Sequence, residues 1–139
     1  MLVEVGTRLN GITTPDLHRR CVGYGQLDLT ADAYVDPDRF LEKSRKPYEL
    51  AEWAISISLI SEQQGVVRSV PGDALVRSLP SFNEVRFRAK PGYVLKRTID
   101  FYTHPGFVML IHPDRDVLTR DLAQLRAWEK GGQMYELEP

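Results

Sequence analysis

Residues 106–112, Gly-Phe-Val-Met-Leu-Ile-His, form a continuous apolar run closed at each end by an X-Pro step, His104-Pro105 before it and His112-Pro113 after it. The residue before a proline is driven out of the α region, so each step marks a turn. A short apolar run between turns, with no polar alternation, reads as a strand covered on both faces. It predicts a central strand, and a central strand needs neighbours.

Candidates lie on both sides of it. Residues 53–59, Trp-Ala-Ile-Ser-Ile-Ser-Leu, alternate bulky with small or polar side chains, as a half-buried strand does. Gln63-Gln64-Gly65 can turn the chain into a strand over 66–70. Residues 82–89 alternate in part, with Val85 and Phe87 set against Arg86 and Arg88, and 93–98 supply another strand after Lys90-Pro91-Gly92. Residues 133–137 add an edge strand. Pro71-Gly72-Asp73 opens a short helix holding Leu75, Val76 and Leu79. Asp114 and Asp116 are candidate caps of a final helix whose Leu118, Leu122 and Leu125 make an apolar stripe before Gly131-Gly132 ends it.

The first third reads as helical. Thr14 can cap a helix that Pro15 begins and Gly23 ends, with Leu17 and Cys21 on one face. A second pattern aligns Leu27, Thr30 and Tyr34, and Asp36-Pro37 starts a short third turn with Phe40 and Leu41. Lys43-Ser44-Arg45-Lys46-Pro47 is a polar, basic break. The expected fold class is α+β, divided into a segment 1–46 and a lobe 47–139. That lobe is mixed, mainly antiparallel and β-rich, with a C-terminal helix.

Composition narrows the function classes. Hydrophobic residues make up 42% and charged residues 27%, so a packed core is expected. The formal net charge is -1 with Lys and Arg dispersed, which argues against a nucleic-acid surface. No segment approaches the ~20 apolar residues of a membrane span, and no signal peptide is recognisable, so the expected location is cytoplasmic. Cys21 is the single cysteine, read as a buried, inert thiol with no disulfide or cysteine metal cluster to join.

The segment 2–11, Leu-Val-Glu-Val-Gly-Thr-Arg-Leu-Asn-Gly, carries the chemistry. On a strand, Val3 and Val5 point one way while Glu4, Gly6 and Arg8 share the other face. Periodicity alone is met by a surface ion pair. The run EVGTRLNG followed by TPDL, however, resembles the closing strand of the ATP-grasp fold, where a Glu, an Asn and an Arg stand at alternate positions. The resemblance continues more loosely through LPSFNEVRF and TIDFYTHPGFVMLIHPD, and likens the chain to the C-terminal portion of a carboxylate-amine or amino-acid ligase.

That resemblance implies magnesium and ATP as cofactors, with Glu4 as a metal ligand and Arg8 as the catalytic and cofactor-binding anion clamp. Magnesium prefers hard oxygen ligands, and a guanidinium offers a planar fork to phosphate or carboxylate. Gly6 stands where the family usually has Asn. The family's substrate domain, nucleotide lid and adenine hinge would all precede Glu4, so residues 1–46 are expected to be the end of an ATP-grasp core that is inactive alone. The implied partners are a missing N-terminal half or further copies of the chain, together with a small carboxylate or amino-acid substrate. The implied reaction is amide or peptide-bond formation through an acyl phosphate. The alternative class is a noncatalytic relic or a protein-binding and assembly module.

Other residues rank lower. His18, His104 and His112 fall in no metal-ligand motif, and the carboxylate-bearing loops around the last two read as solvated turns. Arg86 and Arg88, two apart on a strand, fit either an anionic ligand or a solvated face. Ser56 and Ser58 lack a nucleophile elbow and read as packing residues.

Overall fold

The computed structural model of the protein describes residues 15–139. The expected strand over residues 2–11, its Glu4 and Arg8, and the Thr14 cap lie outside the described residues. The chain divides into two compact units, one ending at Glu52 and one spanning Trp53–Pro139.

The described part of the first unit contains helices α1 (Pro15–Val22), α2 (Gln26–Val35) and α3 (Pro37–Arg45). Helix α1 places Asp16 in its first turn and Arg19 and Arg20 in its last, each charge at the dipole end that favours it. It stops at Gly23, which takes a φ of 83° and returns its N–H to the Arg19 carbonyl at 2.8 Å. Helix α3 is a full helix and not a single turn, capped by Asp36, whose side chain accepts from the Arg39 N–H at 3.1 Å.

The aligned Leu27, Thr30 and Tyr34 of α2 do not form a core face, for Leu27 is 39% and Tyr34 86% exposed. The cause is the polar face of the same helix. Asp28 takes Nε and Nη2 of Arg19 in α1 at 2.9 and 2.7 Å, and Asp32, one turn on, takes Nζ of Lys43 in α3 at 2.5 Å. Helix α2 therefore meets its neighbours through two carboxylates. Arg20 holds Glu52 through a second fork, with both bonds at 2.8 Å. Leu17 is the buried hydrophobic side chain among the described residues of this unit.

The second unit runs β1 (Trp53–Ser58), β2 (Gly65–Ser69), α4 (Gly72–Arg77), β3 (Phe82–Phe87), β4 (Val94–Leu95), a 3-10 turn (Phe101–Thr103), β5 (Gly106–His112), α5 (Arg115–Lys130) and β6 (Glu136–Leu137). The apolar run is the middle strand of an antiparallel sheet ordered β1-β5-β3, and Val108 to Ile111 are all buried. Ile55 faces Leu110 and Ile57 faces Val108 across one side, and Val85 faces Val108 across the other. A second antiparallel sheet is ordered β4-β2-β6. Leu118 and Leu125 of α5 join Ile57, Leu59, Val67, Val76, Val108 and Leu110 in one core. Burying such side chains contributes roughly 1.5–3 kcal/mol each.

Two irregularities shape the first of these sheets. Phe82 pairs with Leu110 and Glu84 with the adjacent Met109, so Asn83 is an extra residue in β3. The bulge brings Phe82, Val85 and Phe87 together against the core and explains the broken alternation. At Gly106 the strands approach so closely that a Cβ would stand 2.5 Å from the Arg86 carbonyl oxygen. Beyond the sheet, helix α5 starts at Asp114, which accepts from the Asp116 N–H at 2.8 Å; Asp116 itself sits in the first turn. Among the described residues no helix is long and apolar enough to cross a membrane.

Candidate functional site

Glu4, Gly6 and Arg8 lie outside the described residues, so the geometry that can be built is that of the second unit's polar groups and of the lower-ranking candidates. Among the described residues no group of three or more His, Cys, Asp or Glu side chains is placed to hold a metal ion.

His104 departs from the solvated turn expected of it. It is 3% exposed, with its ring centroid 4.1 Å from that of Phe107 and 5.2 Å from that of Phe101. Its Nδ1 donates to the Gly106 carbonyl at 3.0 Å, which leaves Nε2 to accept from Nη1 of Arg88 at 3.4 Å. The same Arg88 nitrogen reaches the Tyr102 carbonyl at 3.1 Å. His104 is thus a satisfied buried ring that fixes the approach to β5. His112 does the reverse at the strand's far end, where its Nδ1 accepts from the Asp114 N–H at 2.9 Å. Among the described residues, His104 bonds Arg88 and the Gly106 carbonyl and His112 bonds the backbone of Asp114, and neither imidazole has a hydrogen bond to a nucleophile or a carboxylate.

Two carboxylates of α5 escape the sequence reading. Asp121 is 7% exposed, and its Oδ2 accepts from both the N–H and the hydroxyl of Ser81, at 2.8 and 2.6 Å. Glu129 is 5% exposed; Oε1 accepts from the Ile60 N–H at 2.8 Å and Oε2 from Nη1 of Arg126 at 2.6 Å. Burial pushes the Glu129 carboxyl above its ordinary range, while the Ile60 and Arg126 bonds pull it back. A signal for both exists in the sequence. Positions 121 and 129 fall on the helix face of Leu118 and Leu125, where a polar residue needs a buried partner. Both clamp α5 to loops and are structural.

The remaining candidates separate. Arg86 bonds Glu84, Nε to Oε1 at 2.6 Å, whereas Arg88 turns to the Tyr102–His104 loop, so the two arginines have different partners. Ser56 is exposed on β1, and the carbonyl of Ser58 accepts from Arg126 at 3.3 Å. Cys21 is half-buried and not fully buried as expected. Its thiol is pushed up first by desolvation and then by Glu52, which keeps the reactive thiolate scarce. His18 is exposed.

Comparison with known proteins gives a family and a fold. Residues 58–127 match the family described as L-amino acid ligase C-terminal domain 2. Dapdiamide A synthase of Enterobacter agglomerans is 24% identical over 128 residues, an alignment covering 91% of this chain and 30% of that protein. The crystal structure of phosphoribosylglycinamide synthetase from Anaerococcus prevotii superposes with a TM-score of 0.60 at 14% identity, over 89% of this chain and 30% of that one. At that identity the superposition speaks for the fold alone. The chain spans about 30% of the length of each.

Proposed function

The chain belongs to the L-amino acid ligase C-terminal domain 2 family, a C-terminal portion of ATP-grasp ligases, and from that membership we propose that it acts as the C-terminal part of a ligase that joins a carboxylate to an amine. The observation that carries the reading is the family match over residues 58–127, which falls in the unit that holds the core, the central strand and the clamping helix. The 91% coverage against dapdiamide A synthase extends the likeness into the first unit.

In this reading residues 1–46 are the end of the ATP-grasp core and 47–139 its C-terminal lobe. Magnesium-ATP, when bound, supplies the activated phosphoryl group and the positive charge that offsets it. Glu4 would be this chain's metal ligand, and Arg8 would hold a phosphate or substrate carboxylate through its bidentate fork. The carboxylate would take the terminal phosphoryl group of ATP to become an acyl phosphate, and the amine would then attack its carbonyl carbon and displace inorganic phosphate to give an amide or peptide bond. The described residues contribute positioning. Their buried clamps at Asp121 and Glu129 hold a rigid lobe, and positioning is a large part of what phosphoryl-transfer sites need from protein. The partner is the N-terminal ligase portion, supplied upstream or as a separate polypeptide, and the setting is cytoplasmic.

The test is reconstitution. The chain is joined to, or mixed with, an N-terminal ATP-grasp portion, and phosphate release is measured across a panel of amino acids. We expect amino-acid-dependent release from the combination and none from the chain alone. Sustained magnesium-dependent hydrolysis by the isolated chain, or no release from any combination, would overturn the reading.

A further inference from the structure

A groove of about 430 Å³ opens in the second unit between α4 and the outer side of β3. It draws on separate stretches of chain, because the end of β2, the helix α4 and the strand β3 converge there. Val70, Val85 and Phe87 give it an apolar floor, and Arg77, Arg86 and Lys90 stand around it.

The two arginines are held in a particular way. Arg77 reaches both carboxylate oxygens of Asp73 through Nε alone, at 3.0 Å each, and its guanidinium lies over the Phe82 ring at 5.4 Å. Arg86 reaches Oε1 of Glu84 through Nε alone at 2.6 Å. The Nη groups of both, and Nζ of Lys90, have no bonding partner among the described residues. Each carboxylate therefore orients a guanidinium without consuming its terminal donors. The three cations exceed Asp73 and Glu84 by one charge. β3 is an edge strand in the order β1-β5-β3, so among the described residues no further strand covers this side.

We propose that this groove is a binding site for a small organic anion, a carboxylate or phosphate on an apolar body, with the anion on Arg77, Arg86 and Lys90 and the body on Val70, Val85 and Phe87. A pre-oriented guanidinium fork suits either anion, and an apolar floor beneath a few convergent polar groups is the general form of a small-molecule site. Neither Glu4 nor Arg8 enters into this proposal, and nothing in it depends on the ligase reading.

The experiment titrates the whole chain with N-acetylphenylalanine, phenyl phosphate, inorganic phosphate and the neutral N-acetylphenylalanine amide, followed by amide NMR shifts. Saturable binding is expected for at least one of the two aromatic anions, with shifts confined to residues 70–77 and 84–90. Which of them binds more tightly tells a carboxylate site from a phosphate site. The neutral amide, which loses the charge-assisted contact, and inorganic phosphate, which lacks the apolar body, should each bind about tenfold or more weakly. Lys90→Gln, which breaks no side-chain bond among the described residues, should weaken binding about tenfold, and so should Arg86→Gln. Arg86→Lys should recover only part. No saturable binding of either aromatic anion, equal binding of the neutral amide, or Lys90→Gln and Arg86→Gln variants that bind like the parent would each overturn the proposal.

Discussion

Oδ2 of Asp121 accepts from both the backbone N–H and the hydroxyl of Ser81, at 2.8 and 2.6 Å, and so pins α5 to the loop that enters β3. The tie continues into the sheet, because the Ser81 carbonyl accepts the Ile111 N–H at 2.8 Å. One carboxylate thus aligns a helix, a loop and the central strand. Asp121→Ala should cost about 3 kcal/mol, since it strands a buried N–H and a buried hydroxyl that both bonded to a charged acceptor. Ser81→Ala removes only the hydroxyl bond and should cost less. Urea unfolding of both variants checks the order, and equal losses would show that the backbone bond contributes nothing.

At Gly106 the obstacle to a side chain is backbone, the Arg86 carbonyl oxygen at 2.5 Å and the Phe87 Cα at 3.1 Å from a Cβ. Backbone cannot swing aside as a side-chain tip can, so β3 and β5 would have to separate. Gly106→Ala should destabilise the second unit by roughly 1–3 kcal/mol or more, in the range of overpacked cores. Gly92→Ala is the control for conformation, because its Cβ would meet nothing within 4 Å although its φ is 85°. A thermal melt in which Gly106→Ala matches the parent would contradict the close packing.

Much of this architecture is legible in the sequence. The proline-bracketed run became β5, because nothing polar within it had to reach water, and Asp114 and Gly131-Gly132 bounded α5. What could not be read was tertiary in origin. Asn83 is an ordinary strand-edge residue in sequence, and only the pairing of Phe82 and Glu84 with adjacent residues reveals the bulge. The strand expected over 93–98 stops at Leu95, because Thr98 turns its N–H to Ser61 at 2.8 Å and Asp100 then caps a 3-10 turn. The anion groove was invisible for a similar reason, since Arg77, Arg86 and Lys90 meet only through the fold. Glu4 and Arg8 stand out by resemblance and lie outside the described residues.

The Tyr135 hydroxyl is buried without a hydrogen-bond partner among the described residues, and burial, then Glu129 and Tyr93, pushes it well above the usual phenol range. Its ring meets Phe87 edge-on at 6.1 Å, so the ring is needed and the hydroxyl is not. Tyr135→Phe should leave stability unchanged or raise it by about 1 kcal/mol, because a desolvated polar group is removed at little loss of volume. Denaturant midpoints decide this, and a loss greater than that would reveal a bond to the hydroxyl.

Glu129 gives a pH signature of known sign. Its folded carboxyl is raised above the ordinary 4.5, so the folded state holds the proton more tightly than the unfolded chain does. That contribution is fully present below the unfolded value and is lost as pH rises through the folded one. Glu129→Gln cannot ionise, so the stability of the parent relative to this variant should fall as pH is raised from about 4 to about 7. Asp100 has the opposite sign, since bonds from Thr103 and Tyr102 lower its carboxyl; the parent's advantage over Asp100→Asn should fall as pH is lowered. Parallel unfolding curves test both, and differences that run the other way would reverse the assignment.

Under the proposed function, Glu4 and Arg8 are tested in the chain combined with an N-terminal ATP-grasp portion. Arg8→Lys keeps the charge and loses the planar fork, so an anion clamp should lose at least about tenfold in rate, whereas a surface ion pair would hardly respond. Glu4→Gln removes a negative ligand and should raise the magnesium concentration needed for half-maximal rate. Gly6→Asn, which supplies the side-chain oxygen that the family usually carries there, should lower it. The magnesium readout separates a ligand from a fold defect, because a merely damaged strand would lower the rate without moving the metal requirement in opposite directions for the two variants. If Arg8→Lys, Glu4→Gln and Gly6→Asn all matched the parent in rate and in magnesium dependence, residues 2–11 would be a structural strand and the site would have to be sought in the partner portion.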